Sequence, residues 1–539
     1  MSEKGKKGNS EIFSSSAAEY FSKNLQQVGF SSPAKALLTT VKEAFDNALD
    51  ACEENGILPD IFVGIEKISK GTKNNDIFRV TVEDNGPGIK EADLARVFGE
   101  YLASSKFGKG RPTRGQQGIG ISAATSWAMQ TTAKGVSVTS KTKSMKTAVS
   151  ATIEIDLKNN KGIVRNSTSL EWKKEHGLRV VFELEGRLQL NGEAGLITFF
   201  KGNALLNPHM SLRYKILDDQ EVKIERISDT IPVIPEAIAP HPHTMKLGEF
   251  LSHGRLFGKD KVKLWLKNGF SRINDSAISE ISKKLGSKGE SILKSEVNSV
   301  SDSDFKELFT IISELELMPP PTSSVMSIGE ESLSRSISRL GKVDFFAVVS
   351  RKPTICDFKP VVIEVAIARI NDPVKTFIDG GNISDSDSPI DVMRFANRVP
   401  LQFDKSSCAI VKAIQTVNWK AYGLKQPTGS LPIGPYVIAV SIVSPFLKFK
   451  NASKETIDAS DELVEEIRRA LIQAGQKLSK MLSSEEKTKA EKERIEYIEK
   501  FTPILISSLG RILEIKDTRQ KKASESLAKL LRKDLSSPE

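Results

Sequence analysis

At 539 residues the chain is too long for one hydrophobic core, so three or four domains are expected. Its formal net charge of +10 favours a polyanionic partner without specifying one. The three cysteines, Cys52, Cys356 and Cys408, are isolated, which excludes a disulfide framework and a zinc signature; with no membrane-length apolar run and no signal peptide, a reducing, cytoplasmic setting is expected.

The first stretch, Met1 to Ser16, is polar and basic and reads as a mobile arm. A helix follows. At 100° per residue, Val41, Ala44, Phe45, Ala48, Leu49 and Cys52 share one broad apolar face. Glu43, Asn47 and Asp50 fall on the opposite side, within roughly 60° of one another. Such a face is ordinarily only solvated. Its chemical reading is a carboxylate, Glu43, that orients a water, and a neutral oxygen donor, Asn47, for Mg²⁺.

Alternation at Phe78, Val80 and Val82 predicts a half-buried strand ending in a sharp turn from Asp84 to Gly88. An Asp at a strand end is placed to accept from an exocyclic amine such as adenine N6. Gly88 would let a flat ring approach the backbone. Glycines and basic residues then run from Gly108 to Gly120, ahead of an apolar, helix-like stretch from Ile121 to Met129. Backbone N–H groups at a helix start make an anion site. The phosphate-loop pattern with its Gly-Lys-Ser/Thr is absent, and no strand directly precedes the loop as a dinucleotide fingerprint requires.

Taken in order, these three motifs resemble those of the GHKL ATPases, the superfamily of gyrase-type topoisomerases, ninety-kilodalton heat-shock chaperones, sensor histidine kinases and mismatch-repair ATPases. The resemblance implies a Bergerat fold with Glu43 as general base and Asn47 as Mg²⁺ ligand. It makes Asp84 the adenine acceptor, beside Gly88. Ser105 and Lys106 match the start of the ATP lid, and Arg114, Gly115, Gln116, Gln117, Gly118, Ile119, Gly120 and Ile121 match its phosphate cradle. His176 and Gly177 sit where the family has a later glycine motif before a strand. Leu178 departs from the Thr often found there, so no contact is carried over.

A proline-rich boundary lies at Ile231 to Pro242. Short amphipathic helices follow to about Leu308, with apolar positions at Leu264, Trp265, Leu266, Ile278, Ile281 and Leu285. Between them, Asn268 to Asp275 forms a glycine turn leading to another helix start, similar to a helix–two-turn–helix module. The bland reading is a small helical insert without a ligand.

Beyond the linker at Met318 to Pro321, strand-like runs occur at Asp344–Val349, Val361–Ala366 and Tyr436–Ile442. Between the last two lie Arg394 to Leu401 and the loop Gly423, Leu424, Lys425, Gln426, Pro427. On local grounds Lys425 is an ordinary solvated lysine. The resemblance makes it the transducer's cation beside the γ-phosphate. The last part is Lys/Glu-rich and helical, Leu463 to Lys500 and Ile504 to Leu535, with apolar positions at Leu478, Leu482, Ile495 and Ile498.

Together these features resemble the B-subunit family of the type IIB enzyme topoisomerase VI. The implied architecture is multidomain α+β. It has a Bergerat-fold ATPase domain with its N-terminal arm (1–230), a helix–two-turn–helix domain (231–310), an α/β transducer of ribosomal-S5-like fold (311–470) and a C-terminal helical extension (471–539). The implied ligands are ATP and Mg²⁺. The implied partners are a DNA-cleaving A subunit in an A₂B₂ assembly, a second copy of the chain on ATP binding, and double-stranded DNA, with no membrane. A chaperone is disfavoured, because no long client-binding domain follows the ATPase region. None of the five histidines lies on a dimerisation helix pair preceding it, as a sensor kinase would need.

Overall fold

The computed structural model describes residues 15–104, 110–115, 118–372, 388–451 and 454–535. The expected N-terminal arm falls almost wholly outside them. The chain divides into two compact units: one comprises the chain to Trp419 and Leu424–Ala474, the other Lys420–Gly423 and the chain from Gly475 onward.

In the larger unit, β1 (Asp60–Lys70), β2 (Asp76–Asp84), β3 (Val136–Lys141), β4 (Ala148–Asp156), β5 (Lys161–Leu170), β6 (Gly177–Gly186), β7 (Ser211–Ile216) and β8 (Val222–Ile224) form one sheet. Their spatial order is β5-β4-β3-β6-β2-β1-β7-β8. The β1–β7 pair is parallel and the other neighbours are antiparallel. The helices of this region are α1 (Ala17–Lys23), α2 (Pro33–Glu54), α3 (Glu91–Gly99), α4 (Gly120–Thr132) and α5 (Leu196–Leu206). Alternation in β2 buries Phe78, Val80 and Val82, as its pattern predicts.

Helix α2 starts where it does because Pro33 occupies its first turn and the Ser32 hydroxyl accepts the Lys35 N–H at 3.3 Å. Its expected apolar face, Val41, Ala44, Phe45, Ala48, Leu49 and Cys52, is fully buried. Burying Phe45 or Leu49 is worth roughly 1.5–3 kcal/mol each. The polar side is not simply solvated: Glu43 and Asn47 are half-buried, and Asp46, Asp50 and Glu53 are buried.

Five helices, α6 (Leu247–Leu256), α7 (Val262–Gly269), α8 (Asp275–Lys284), α9 (Gly289–Lys294) and α10 (Asp302–Ser313), enclose a separate apolar cluster around Phe250, Trp265, Phe270 and Ile281. The Asn274 carboxamide starts α8 by accepting the Ala277 N–H at 2.9 Å. Leu264 points outward while its neighbours Trp265 and Leu266 are buried.

A second sheet consists of β9 (Lys342–Ser350), β10 (Thr354–Cys356), β11 (Lys359–Asp372), β12 (Asp391–Ala396), β13 (Val399–Pro400) and β14 (Tyr436–Val443); α11 (Glu330–Ile337) packs against it, and α12 (Ala409–Thr416) lies between β13 and β14 in the chain. Its order is β10-β11-β14-β12-β13, with β9 also on β11. The motif at Arg394 to Leu401 is a hairpin that no alternation announced. Phe395 faces Pro400 and Ala396 faces Val399, which leaves Asn397 and Arg398 as a two-residue turn. Both have positive φ, 49° and 65°, as a type I′ turn requires. A non-glycine residue held there costs on the order of 1–3 kcal/mol. Helix α5 approaches this hairpin closely at Gly202, where a Cβ would lie 2.7 Å from Pro400 Cγ.

Helix α13 (Asp461–Ile512) runs through Pro503 and α14 (Asp517–Leu535) follows. The two helical stretches expected to divide near Pro503 therefore divide ten residues later, between Ile512 and Asp517. Proline removes one ladder hydrogen bond. Beside it, the Thr502 hydroxyl donates to the Ile498 carbonyl at 2.6 Å. No helix among the described residues is long and apolar enough to cross a membrane.

Candidate nucleotide site

A cavity of about 270 Å³ opens between α2, the turn after β2, the start of α4 and the β12–β13 hairpin. It brings together Glu43, Asn47, Asp84, Gly88, Arg114, Gly115, Gly118, Ile119, Gly120 and Ile121. Ser105, Lys106, Gln116 and Gln117 lie outside the described residues.

At one end stands Asp84, the last residue of β2. Its carboxylate accepts the Gly86 N–H at 2.7 Å, and burial pushes its pKa up to about 7. Gly88 takes φ +72°, and a Cβ there would lie 2.2 Å from the Lys141 carbonyl oxygen. Only glycine lets this turn close onto β3. His176 donates from Nδ1 to the Gly86 carbonyl at 2.7 Å, holding the turn from the other side. Leu178, for which the sequence supplied no contact, lines the cavity. Its position follows from pairing directly opposite Asp84 in the β2–β6 register.

At the other end α4 begins at Gly120 with no side-chain cap, so its first N–H groups remain available to an anion. The Glu43 carboxylate lies against this point: a Cβ built on Gly120 would fall 1.9 Å from Glu43 Oε2. Gly118, at φ +61°, carries the backbone past Ala103. The Asn47 amide oxygen faces Gly115, 3.3 Å from where a Cβ would stand. Next to it, Asp46 is buried with Oδ1 lacking a partner, and burial raises its pKa to about 7.

Arg114 does not present its guanidinium to the cavity. It donates to Asp50 Oδ1 at 2.7 Å, to Glu53 at 2.9 and 2.8 Å, and to Asn207 Oδ1 at 2.6 Å. Asp50, expected beside Glu43 and Asn47, is likewise drawn into this pairing.

The remaining wall comes from the second sheet and the loop beyond it: Asn397, Val399, Leu401, Gln402, Phe403, Phe449, Lys454 and Glu455. Arg394, buried, holds that wall by donating to the Leu401, Phe403 and Asp404 carbonyls at 3.3, 2.6 and 3.1 Å. Lys35 near the start of α2 pairs with Glu455 at 3.1 Å and sits 4.1 Å from the Phe403 ring centre. Lys425 is exposed on its loop, its carbonyl accepting the Ile433 N–H at 2.7 Å, and is not among the cavity residues. Lys454 is. Its Nζ donates to the Arg114 carbonyl at 3.0 Å. A lysine in a polar loop carries no periodic signal, so only the fold distinguishes the two.

The family model for the histidine kinase-, DNA gyrase B- and HSP90-like ATPases matches residues 33–159, and that for the topoisomerase VI B subunit transducer matches residues 320–494. The type 2 DNA topoisomerase 6 B chain from Archaeoglobus fulgidus is 34% identical over 499 residues, covering 93% of this chain and 79% of that one. The chain belongs to the topoisomerase VI B-subunit family. A family member from Methanococcoides burtonii is 35% identical over 499 residues, covering 93% of this chain and 77% of its own. One from Pyrococcus horikoshii is 30% identical over 537 residues, with coverages of 92% and 91%. As in that family, a GHKL ATPase domain precedes a transducer, and residues of both matched regions line the cavity.

Proposed function

We propose that this chain binds ATP with Mg²⁺ in the cavity and hydrolyses it, and that two copies close on ATP binding to gate the passage of one DNA duplex through another. A separate A subunit would make the break, in an A₂B₂ assembly working on cytoplasmic, nucleoid DNA. The observation that carries this reading is the make-up of the cavity wall. Residues from the ATPase match and from the transducer match line the same cavity, so a change in nucleotide state is felt by both. The four-part division at 230, 310 and 470 is part of the proposal. It is supported by the first sheet ending at Ile224, the helical cluster ending at Ser313 and the second sheet ending at Val443.

In this reading Asp84 accepts the adenine amine, and the flat ring lies over Gly88. The α4 N-terminus and the Gly115 to Ile121 backbone hold the phosphates. Glu43, held beside Gly120, orients the attacking water and takes its proton. Asn47 offers one neutral oxygen. Among the described residues no group of three or more His, Cys, Asp or Glu could hold a metal. That donor set suits Mg²⁺, which keeps several waters and takes the rest of its shell from substrate phosphates. When bound, the ion neutralises phosphate charge.

The direct test is relaxation of supercoiled DNA. ATP-dependent relaxation is expected from this chain together with a purified A subunit, and none from either alone. Relaxation by this chain alone would sink the reading.

Lys425 remains our proposal for the γ-phosphate sensor, and it requires the loop to move into the cavity. Lys454 is a second reading, favoured by its place in the cavity wall. Lys425→Ala and Lys454→Ala separate them. Loss of the sensor should slow hydrolysis by about tenfold or more, since one unit charge at about 4 Å is worth roughly 4 kcal/mol at an effective dielectric near 20, before desolvation. The other variant should hydrolyse ATP at the wild-type rate. If neither variant slows, neither lysine senses the nucleotide.

A further inference from the structure

Ten residues beyond Glu43 on the same helix, roughly 15 Å along its axis, lies a buried carboxylate that no step above uses. Glu53 is reached from two sides. Arg114, on the segment leading to α4, binds it through both terminal nitrogens at 2.9 and 2.8 Å. Arg398, in the turn of the β12–β13 hairpin, binds it through both of its own at 3.0 and 2.6 Å. Glu53 and Arg114 side chains are each 1% exposed and Arg398 is 4% exposed. His209 completes the shell, donating from Nε2 to Glu53 Oε1 at 2.9 Å.

We propose that Glu53 is a positioning residue that couples the phosphate loop to the transducer, because Arg114 and Arg398 share its one carboxylate. The proposal rests on the ATPase reading and deepens it.

The charges explain why the sharing matters. Asp50 and Glu53 balance Arg114 and Arg398, while burial keeps His209 below its ordinary pKa and so neutral. Burial alone would raise the Glu53 pKa, but the two guanidiniums outweigh it and hold the carboxyl well below the usual range. A buried charge that loses its partner is strongly unfavourable. Bidentate arginine pairs are also directional. If the phosphate loop shifts Arg114, Glu53 must follow it or rebalance on Arg398, and either response moves the hairpin.

The hairpin is built to report such a shift. Arg398 holds a left-handed backbone conformation that its side chain does not favour, and the Glu53 pairing anchors it there. Its neighbours Asn397 and Val399 face the cavity. Asn397 is also tied to β14, its N–H donating to the Ile442 carbonyl at 2.8 Å while its amide oxygen accepts the Ser444 N–H just beyond the strand at 2.9 Å. One turn thus touches α2, the nucleotide cavity and the transducer sheet. Since coupling is reciprocal, transducer position must equally bias the loop that holds the phosphates.

The experiment follows amide hydrogen exchange in the full chain, with and without a non-hydrolysable ATP analogue. In the wild type the analogue should protect both the α4 start, Gly118 to Ile121, and the hairpin, Ala396 to Leu401. The double variant Glu53→Gln/Arg398→Met removes one charge of each sign, so Asp50 and Arg114 still balance. It should bind the analogue within about threefold of wild type and keep α4 protection, while hairpin protection falls about tenfold or more. Its kcat should drop with KM little changed. Arg398→Lys should restore hairpin protection only in part, because an ammonium cannot make both bonds of the fork. Full hairpin protection in the double variant overturns the proposal. So does loss of analogue binding, which would mean these residues build the site rather than couple it. Failure of the wild type to bind the analogue would instead count against the ATPase reading itself.

Discussion

Glu43→Ala is expected to bind ATP almost normally and to hydrolyse it about 10²–10⁴ times more slowly, the range for loss of a positioned general base. Glu43 is only half-buried and its side chain packs against backbone at Gly120, so its removal leaves no large apolar void. The amides proposed to hold the phosphates at the start of α4, and the Asp84 end of the cavity, are untouched by the change. Binding and chemistry should therefore separate. Single-turnover hydrolysis alongside equilibrium titration reads the two directly. Near-wild-type hydrolysis would return the polar side of α2 to an ordinary half-solvated face.

Gly120→Ala should reproduce much of that loss with Glu43 still present. The new methyl would stand 1.9 Å from Glu43 Oε2 and 2.1 Å from its Cδ, so the carboxylate must swing away. Its backbone is not in the left-handed region, and alanine favours a helix by about 0.8–1.0 kcal/mol over glycine, so the fold should hold. A reacting group displaced by about 1 Å can cost about 10²-fold in rate. Hydrolysis should fall by that order with a melting temperature equal to or above the wild type. The double variant Glu43→Ala/Gly120→Ala should be no slower than Glu43→Ala alone, since both changes remove the same contact. Additive losses would show that Gly120 acts through the phosphate amides instead. Gly88→Ala offers no such separation, because its clash is with fixed backbone at Lys141.

Much of the ATPase region was legible because its signals are local. Helical periodicity marked the buried face of α2, alternation marked β2, and glycines marked Gly88 and the start of α4. Each depends only on residues within a few positions of one another, and so survives in a linear reading. The motif order then joined Glu43, Asn47, Asp84 and the glycine loop through a family resemblance, and the fold lines one cavity with them.

What periodicity could not supply was the partner of each polar side chain. The family resemblance placed Arg114 in the phosphate cradle, yet its guanidinium lies on Asp50, Glu53 and Asn207. Arg398 meets Glu53 across 345 positions, and Lys454 meets the Arg114 carbonyl across 340. The β12–β13 hairpin was hidden as well, since its turn uses Asn397 and Arg398 where glycine would have announced it. Apolar patterns are set by which face of an element is buried, and that is written locally. A buried charge is set by whichever opposite charge the tertiary fold delivers to it, so the pairing of Glu53 with two arginines was decided only when α2, the glycine loop and the transducer hairpin came together.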